Sequence, residues 1–371
     1  MICFLNYGQK ILKKRYLQAI ILLISIIISF AFVPSLKSTT SPFIQDVQKV
    51  PVVIHSFDEG VSAKNVHSIV VDDENTKWFL TESGILSFDS KKWILHSKNS
   101  KVPTENLKDL AFEFSSYGRE LWIATPKGAT VATIPVDTGT GSTTYYTENS
   151  KIMSDNVLSL AVGKGALRWF GTDKGVSAFM DKKWLTPDYL RKYPEGMFKD
   201  FPITAMATSP NGDSLFVATD GGGVARMFRD AVDAISGASE YAQWGPIEIP
   251  SDKVYSICIT PDGIQWFGTD QGAGKHTGYN TLENWTVYNK DNGLIDNFVQ
   301  AIAVDKKNNV WFGTKGGVSV FDGSAWKSYT LKDGLISNNI LCVAADKNGV
   351  VWFGTDNGVM SFYNGEFAIY R

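Results

Sequence analysis

The chain has 371 residues, 36 of them basic and 38 acidic, and its formal net charge is −2. Hydrophobic residues make up 44% of the chain and aromatic residues 13%, which is enough for a large buried core. Charges of both signs are mixed along the sequence without a basic stripe, so no nucleic acid is expected as a partner.

The N-terminal 50 residues differ in composition from the rest of the chain. Residues 1–15 form a basic segment, and residues 16–33 are an uncharged run rich in Ile and Leu. The run has the length of a transmembrane anchor and is also compatible with a signal peptide, and both alternatives stay open. The preceding positive charges predict a cytoplasmic N-terminus, with everything after the run on the other side of the membrane. Residues 34–50, rich in Ser, Thr and Lys, have the composition of a linker.

From residue 51 onward, one phrase recurs seven times. It reads "WFGT" or a close variant and begins at residues 78, 122, 169, 216, 266, 311 and 352, a mean period of about 46 residues. Threonine closes the phrase in every copy and glycine stands three residues later, as in Thr355 and Gly358. Such regularity indicates a repeat architecture rather than a single ligand-binding loop.

Each period contains four short strand-like pieces separated by turn residues. In the sixth copy they are "NFVQAIAVD", "VWFGT", "GVSVFD" and "AWKSYT". Four antiparallel strands per period are typical of a β-propeller blade, so residues 51–371 are predicted to form an all-β, seven-bladed propeller behind an N-terminal signal or anchor helix.

The tryptophans support this division. They fall into a second-strand and a fourth-strand position, and their size predicts packing of one blade against the next. The second-strand members, with Gly358 as a structural turn residue, are Trp78, Trp122, Trp169, Trp266, Trp311 and Trp352.

The repeat resembles the two-component regulator propeller repeat. The seventh copy carries its elements "DGLISNN", "ADKNGVVWFGT" and "NGVMSFYNG". The resemblance implies a periplasmic or secreted propeller in a bacterial cell envelope, anchored in the inner membrane if residues 16–33 are retained. It also implies ligand sensing, with an oligosaccharide or another small ligand, or a membrane sensor or regulator protein, as partner. No kinase region follows the propeller, so kinase activity is not expected of this chain.

Catalytic and metal-binding patterns are not found in the sequence. "GTDQGAGKH" has neither the spacing of a phosphate loop nor a following helix. The four histidines are scattered along the repeats without metal-ligand spacing. Neither cofactor nor metal is expected, and enzymatic activity is left open.

Binding residues are predicted where the repeat is least regular. The beginnings of four first strands place unlike side chains at the channel mouth, namely His67, Lys108, Tyr255 and Gln300. The long connection between the third and fourth blades adds Tyr189, Arg191, Tyr193 and Phe198. The expected function is the ligand-binding input module of a two-component or glycan-responsive signalling system. A protein-interaction scaffold of the envelope is the alternative, followed by a propeller lyase or hydrolase.

Overall fold

The computed structural model describes residues 51–55, 57, 63–96, 102–103, 105–115, 118–136, 141–165, 167–185, 201–212, 214–228, 242–244, 249–277 and 284–371. The predicted basic segment, anchor or signal, and linker, residues 1–50, lie outside these residues. In the described part of the chain, no helix combines the length and the apolar character that crossing a membrane requires.

Seven four-stranded antiparallel sheets follow one another along the chain, as predicted. The first strands of the sheets are β2 (Ser68–Val71), β6 (Asp109–Ser115), β10 (Val157–Val162), β14 (Ile203–Thr208), β18 (Val254–Ile259), β22 (Val299–Val304) and β26 (Ile340–Ala345). Each first strand contacts the first strands of the two neighbouring sheets, and β2 contacts β26, so together they form a closed inner ring. The molecule is a seven-bladed β-propeller.

Three further strands complete each blade outward from the channel. The second strands are β3 (Lys77–Thr81), β7 (Gly118–Thr125), β11 (Arg168–Thr172), β15 (Ser214–Thr219), β19 (Gln265–Thr269), β23 (Val310–Thr314) and β27 (Val351–Thr355). The third strands are β4 (Gly84–Phe88), β8 (Gly128–Thr133), β12 (Gly175–Met180), β16 (Val224–Phe228), β20 (Gly272–His276), β24 (Val318–Phe321) and β28 (Gly358–Tyr363). The fourth strands are β5 (Trp93–His96), β9 (Ser142–Tyr145), β13 (Lys183–Leu185), β17 (Ala242–Trp244), β21 (Trp285–Tyr288), β25 (Trp326–Tyr329) and β29 (Glu366–Tyr370). Blade 1 is β2–β5 and blade 7 is β26–β29.

The repeated threonine and glycine build the turn between the second and third strands. In blade 7 the Thr355 hydroxyl donates to the Gly358 carbonyl at 2.9 Å, and Gly358 has a φ of 139°. Blade 4 departs from this rule, because its turn holds one more residue and Thr219 bonds the carbonyl of Gly223 instead of that of Gly222. The phrase is therefore a turn-forming device in all seven blades.

The tryptophans of the second strands lie between blades. Trp266 of blade 5 meets Phe312 of blade 6 edge-on with ring centroids 5.2 Å apart. Trp352 of blade 7 meets Phe79 of blade 1 in the same way at 5.8 Å. Because both tryptophan rings are almost fully buried, these two blade-to-blade contacts are aromatic cores.

Blade 7 carries a fifth strand at its outer edge. β1 (Val52–His55) pairs with β29 in parallel, with Val52 opposite Phe367. Of the two candidate fourth strands in the sequence, the C-terminal one therefore completes blade 7, and the N-terminal one lies outside it. The ring is closed by packing of blade 1 on blade 7, where the Val66 N–H donates to the Thr355 carbonyl at 3.0 Å.

Candidate functional site

One residue from each blade surrounds the mouth of the central channel, at the end where the first strands begin. We call these seven residues the mouth ring: His67, Lys108, Leu158, Thr204, Tyr255, Gln300 and Leu341. With the first-strand residues that follow them, they line a cavity of about 230 Å³. The structure thus brings together the four first-strand residues predicted from the sequence and adds Leu158, Thr204 and Leu341, which the prediction missed.

A backbone irregularity explains why these side chains share a place. In blades 3 to 7 the pairing of the first and second strands skips one residue, for example Tyr255 between Val254 and Ser256. The skipped residue is the mouth-ring member in each of these blades. A β-bulge re-aims a side chain without disturbing the rest of the strand, so the residue type at this point can vary freely.

The mouth-ring residues differ in their contacts. The Gln300 side chain donates to the Asn339 side chain at 2.9 Å and to the Ile340 carbonyl at 2.8 Å, which ties blade 6 to blade 7. Tyr255 stacks on Phe298 with ring centroids 4.9 Å apart. His67 and Lys108 are exposed to solvent. The mouth therefore presents an aromatic side, an amide and a basic side to one small space.

Two residues of the mouth ring have shifted pKa values. Partial desolvation of the ring and the nearby Lys108 ammonium lower the pKa of His67 below its ordinary value, which favours the neutral imidazole at pH 7. Burial raises the pKa of Tyr255, and the carboxylates of Asp220 and Asp270 raise it further. The tyrosine hydroxyl is accordingly a neutral donor and acceptor throughout the physiological range.

A rim of charged turn residues surrounds the mouth ring at the same end of the propeller. The residue after the turn threonine is acidic in five blades, and the full set is Glu82, Pro126, Asp173, Asp220, Asp270, Lys315 and Asp356. The Glu82 carboxylate accepts a hydrogen bond from the Asn65 side chain at 2.8 Å. The Lys315 ammonium lies 3.6 Å from the centre of the Phe298 ring. The rim is predominantly negative.

One further residue of the cavity, Asp109, was not singled out from the sequence. It follows Lys108 on β6, and its carboxylate joins three blades. One oxygen accepts the Ser68 hydroxyl of blade 1 at 2.9 Å, and the other accepts the Leu160 N–H of blade 3 at 2.9 Å. Burial raises the pKa of Asp109 to about 6. Aligning the first strands would have revealed it, because its counterparts are small and neutral.

The other predicted binding residues belong to the connection between blades 3 and 4. Tyr189, Arg191, Tyr193 and Phe198 lie outside the described residues. Their place at the channel mouth stays a prediction.

By its fold, the protein belongs to the class of closed seven-bladed β-propellers. Unlike residues are gathered at one mouth of its channel. Residues 293–316 and 334–357 match the family model of the two-component regulator propeller. The chain thus carries repeats of that family, in agreement with the resemblance seen in the sequence. A search of curated protein sequences finds no match.

Solved structures share the fold at low sequence identity. The extracellular domain of a hybrid two-component system from B. thetaiotaomicron is 20% identical with a TM-score of 0.66, over 82% of this chain and 39% of that one. PorZ, a surface component of the type-IX secretion system of Porphyromonas gingivalis, is 16% identical with a TM-score of 0.58, over 83% and 46%. Virginiamycin B lyase from Staphylococcus aureus is 14% identical with a TM-score of 0.55, over 80% and 93%. The chain spans about two fifths of the B. thetaiotaomicron domain.

Proposed function

We propose that this propeller is an extracytoplasmic binding module whose channel mouth takes up a ligand as the input of a two-component or glycan-responsive signalling system. The observation that carries the proposal is the mouth ring. Seven bulged or strand-opening positions on a regular framework hold six different residue types around one cavity, which is how a fold acquires a specific site.

The repeat family and the similar solved structures support the proposed binding function. The B. thetaiotaomicron relatives are extracellular domains of signalling systems, and their propeller fold is shared with this chain. An input module needs a site open to solvent on one side, and the exposed His67 and Lys108 meet that condition.

The test is a thermal-shift screen of the purified chain against oligosaccharides. A ligand at 100 times its Kd adds about 2.7 kcal/mol to the free energy of unfolding, and at this size each kcal/mol is about 2–4 °C in Tm. We expect such a rise in the wild type, its loss in Tyr255→Ala and its retention in Tyr363→Ala. Tyr363 is the matched control because it is half exposed and ends the third strand of blade 7, at the opposite end of the propeller from the mouth.

A protein-interaction scaffold is the second candidate. Among the described residues, the exposed apolar side chains are spread over several blades, for example Phe114 in blade 2 and Val287 in blade 5, and only Val53 and Ile54 are adjacent in sequence, on β1. If no oligosaccharide shifts Tm while affinity purification recovers one defined protein partner, the scaffold replaces the ligand-binding proposal.

A further inference from the structure

Asp109 differs in size and charge from its counterparts in the other six blades. The residue directly after each mouth-ring member is small and neutral in every other blade. We call these seven residues the belt: Ser68, Asp109, Ser159, Ala205, Ser256, Ala301 and Cys342. Asp109 therefore places the one carboxylate of the belt at the wall of the channel cavity.

Holding the blades together does not require the charge. In blade 5 the Ser256 hydroxyl accepts the Ile302 N–H of the next blade at 2.9 Å. That is the bond that Asp109 makes to the Leu160 N–H of blade 3, also at 2.9 Å. A neutral serine thus accepts the bond to the following blade as well as the aspartate does, and the bond from Ser68 of blade 1 is an addition that, among the described belt residues, Asp109 alone makes.

The charge is also left without a cation. Among the described residues, Asp109 is held by the Ser68 hydroxyl and by the N–H groups of Leu110 and Leu160, and it forms no ion pair. Burial dominates its pKa, and none of the influences that oppose burial is a positively charged side chain. Lys108, next to it in sequence, acts on His67 instead. A half-buried carboxylate without a cation is partly desolvated at the cavity wall, and this disfavours its charged form unless something positive approaches it.

That positive group has a route to Asp109 through the cavity. Resting on the proposed function, we propose that the channel ligand carries a primary ammonium or guanidinium group whose positive charge lies beside Asp109. A carboxylate that faces a cavity without a cation, where the other six blades have a small neutral residue, is the kind of residue that binding sites retain.

The surroundings of the mouth suit a cationic ligand. Five of the seven rim residues are acidic, and the carboxylates of Asp220 in blade 4 and Asp270 in blade 5 act on Tyr255 of blade 5. The titratable groups around Asp109 are His67, whose pKa is lowered, and the thiol of Cys342, whose pKa is raised by burial and by Asp109 itself. Both are mainly uncharged at pH 7, which leaves Lys108 as the cation of the mouth ring.

The experiment is isothermal titration of the purified full chain with matched probes. Spermidine and glucosamine carry ammonium groups, while 1,4-butanediol and glucose are their neutral counterparts. We expect the amines to bind and the neutral probes to bind at least tenfold more weakly. Asp109→Asn, which keeps the shape of the side chain, should weaken amine binding at least tenfold, and the exposed Asp291→Asn should leave it unchanged.

The outcomes separate this inference from the proposed function. If neutral or acidic probes bind as well as amines and Asp109→Asn changes nothing, the cationic ligand is wrong and the binding module stands. If neither these probes nor the oligosaccharides bind, the proposed function fails and the inference fails with it. A decline of amine affinity below pH 6 in the wild type, absent from Asp109→Asn, would add support, because protonation removes the attracting charge.

Discussion

Gly272 shows how the repeated phrase acts at the scale of one residue. It turns the second strand of blade 5 into the third with a φ of 135°, and a Cβ there would lie 2.3 Å from the carbonyl oxygen of Tyr288 on the fourth strand. Two separate constraints therefore select glycine: the left-handed backbone and the closeness of the neighbouring strand.

Gly272→Ala is expected to lower the free energy of unfolding by about 2–4 kcal/mol, since both constraints are violated. Gly323→Ala is the matched control. Gly323 has a φ of 100°, but a Cβ there meets nothing within 4 Å, so only the backbone cost of about 1 kcal/mol applies. Urea unfolding of both variants measures the difference, and equal losses would contradict the importance of the close carbonyl.

Asp109 leads to a prediction about pH. Its pKa is raised from 3.8 to about 6 on folding, so between these values the folded state binds the proton that the unfolded state has released. The contribution of Asp109 to the free energy of unfolding is therefore most favourable below pH 4. It decreases as pH rises to about 6 and stays low above that.

Asp109→Asn removes this dependence. We expect the variant to exceed the wild type by about 1 kcal/mol in unfolding free energy at pH 7.5, because it discards a partly desolvated charge. Its amide oxygen can still accept from Ser68 and Leu110, while its NH2 group cannot accept the Leu160 N–H, which offsets part of the gain. At pH 4.5 the difference should shrink towards zero. Urea unfolding at both pH values decides, and a variant less stable at pH 7.5 would show that the charge is structurally useful.

At the scale of the element, the turn between the first and second strands carries a hydrogen bond that three of the seven blades share. In blades 1, 6 and 7 an aspartate accepts the indole N–H of the second-strand tryptophan, as Asp305 does from Trp311 at 2.9 Å. Blade 5 has Thr260 in that place, and the buried indole N–H of Trp266 finds no acceptor among the described residues.

Thr260→Asp is expected to raise the free energy of unfolding by about 1 kcal/mol at pH 7, because it supplies the missing acceptor. The backbone should accept the change, since the Thr260 hydroxyl already receives the Ile264 N–H at 3.0 Å, as Asp305 receives the Asn309 N–H at 3.0 Å. The reverse exchange, Asp305→Thr, should cost about 1–3 kcal/mol. Thermal unfolding of both variants provides the comparison, and opposite signs are required.

Sequence periodicity located the strands of this element well. The four pieces read in the sixth copy correspond to β22, β23, β24 and β25. Blade 4 was predicted less accurately, because an inserted residue moved the turn role from Gly222 to Gly223. A spacing of three residues was present by coincidence, and hydrogen bonding alone distinguishes the two glycines.

At the scale of the whole molecule, the four-stranded repeats do not by themselves determine how the ring of blades closes. Blade 7 is complete within the C-terminal segment, and β1 adds a parallel fifth strand whose Val53 and Ile54 are about half exposed. Blade 1 meets blade 7 through an aromatic cluster in which Trp352 touches Phe79 and Phe88. The ring is therefore held by side-chain packing more than by β1.

A chain lacking residues 1–55 is expected to fold into the same propeller. The loss of four half-exposed residues should lower Tm by about 2–6 °C, with the far-UV circular dichroism spectrum unchanged. Trp352→Ala should be far more damaging, at about 3–5 kcal/mol, because it empties the closing interface. A truncated chain that does not fold would assign closure to β1 instead.

The sequence by itself determined the number of blades, the strand order within them, the turn residues and the aromatic packing positions. These follow from local periodicity, and each is repeated often enough to be read without any knowledge of distant contacts. Only the tertiary structure decided which residues share the channel mouth, because the mouth ring joins seven segments that are about 45 residues apart. The position of β1 and the exposure of Asp109 to the cavity likewise depend on how the ring closes, and no local pattern encodes that geometry.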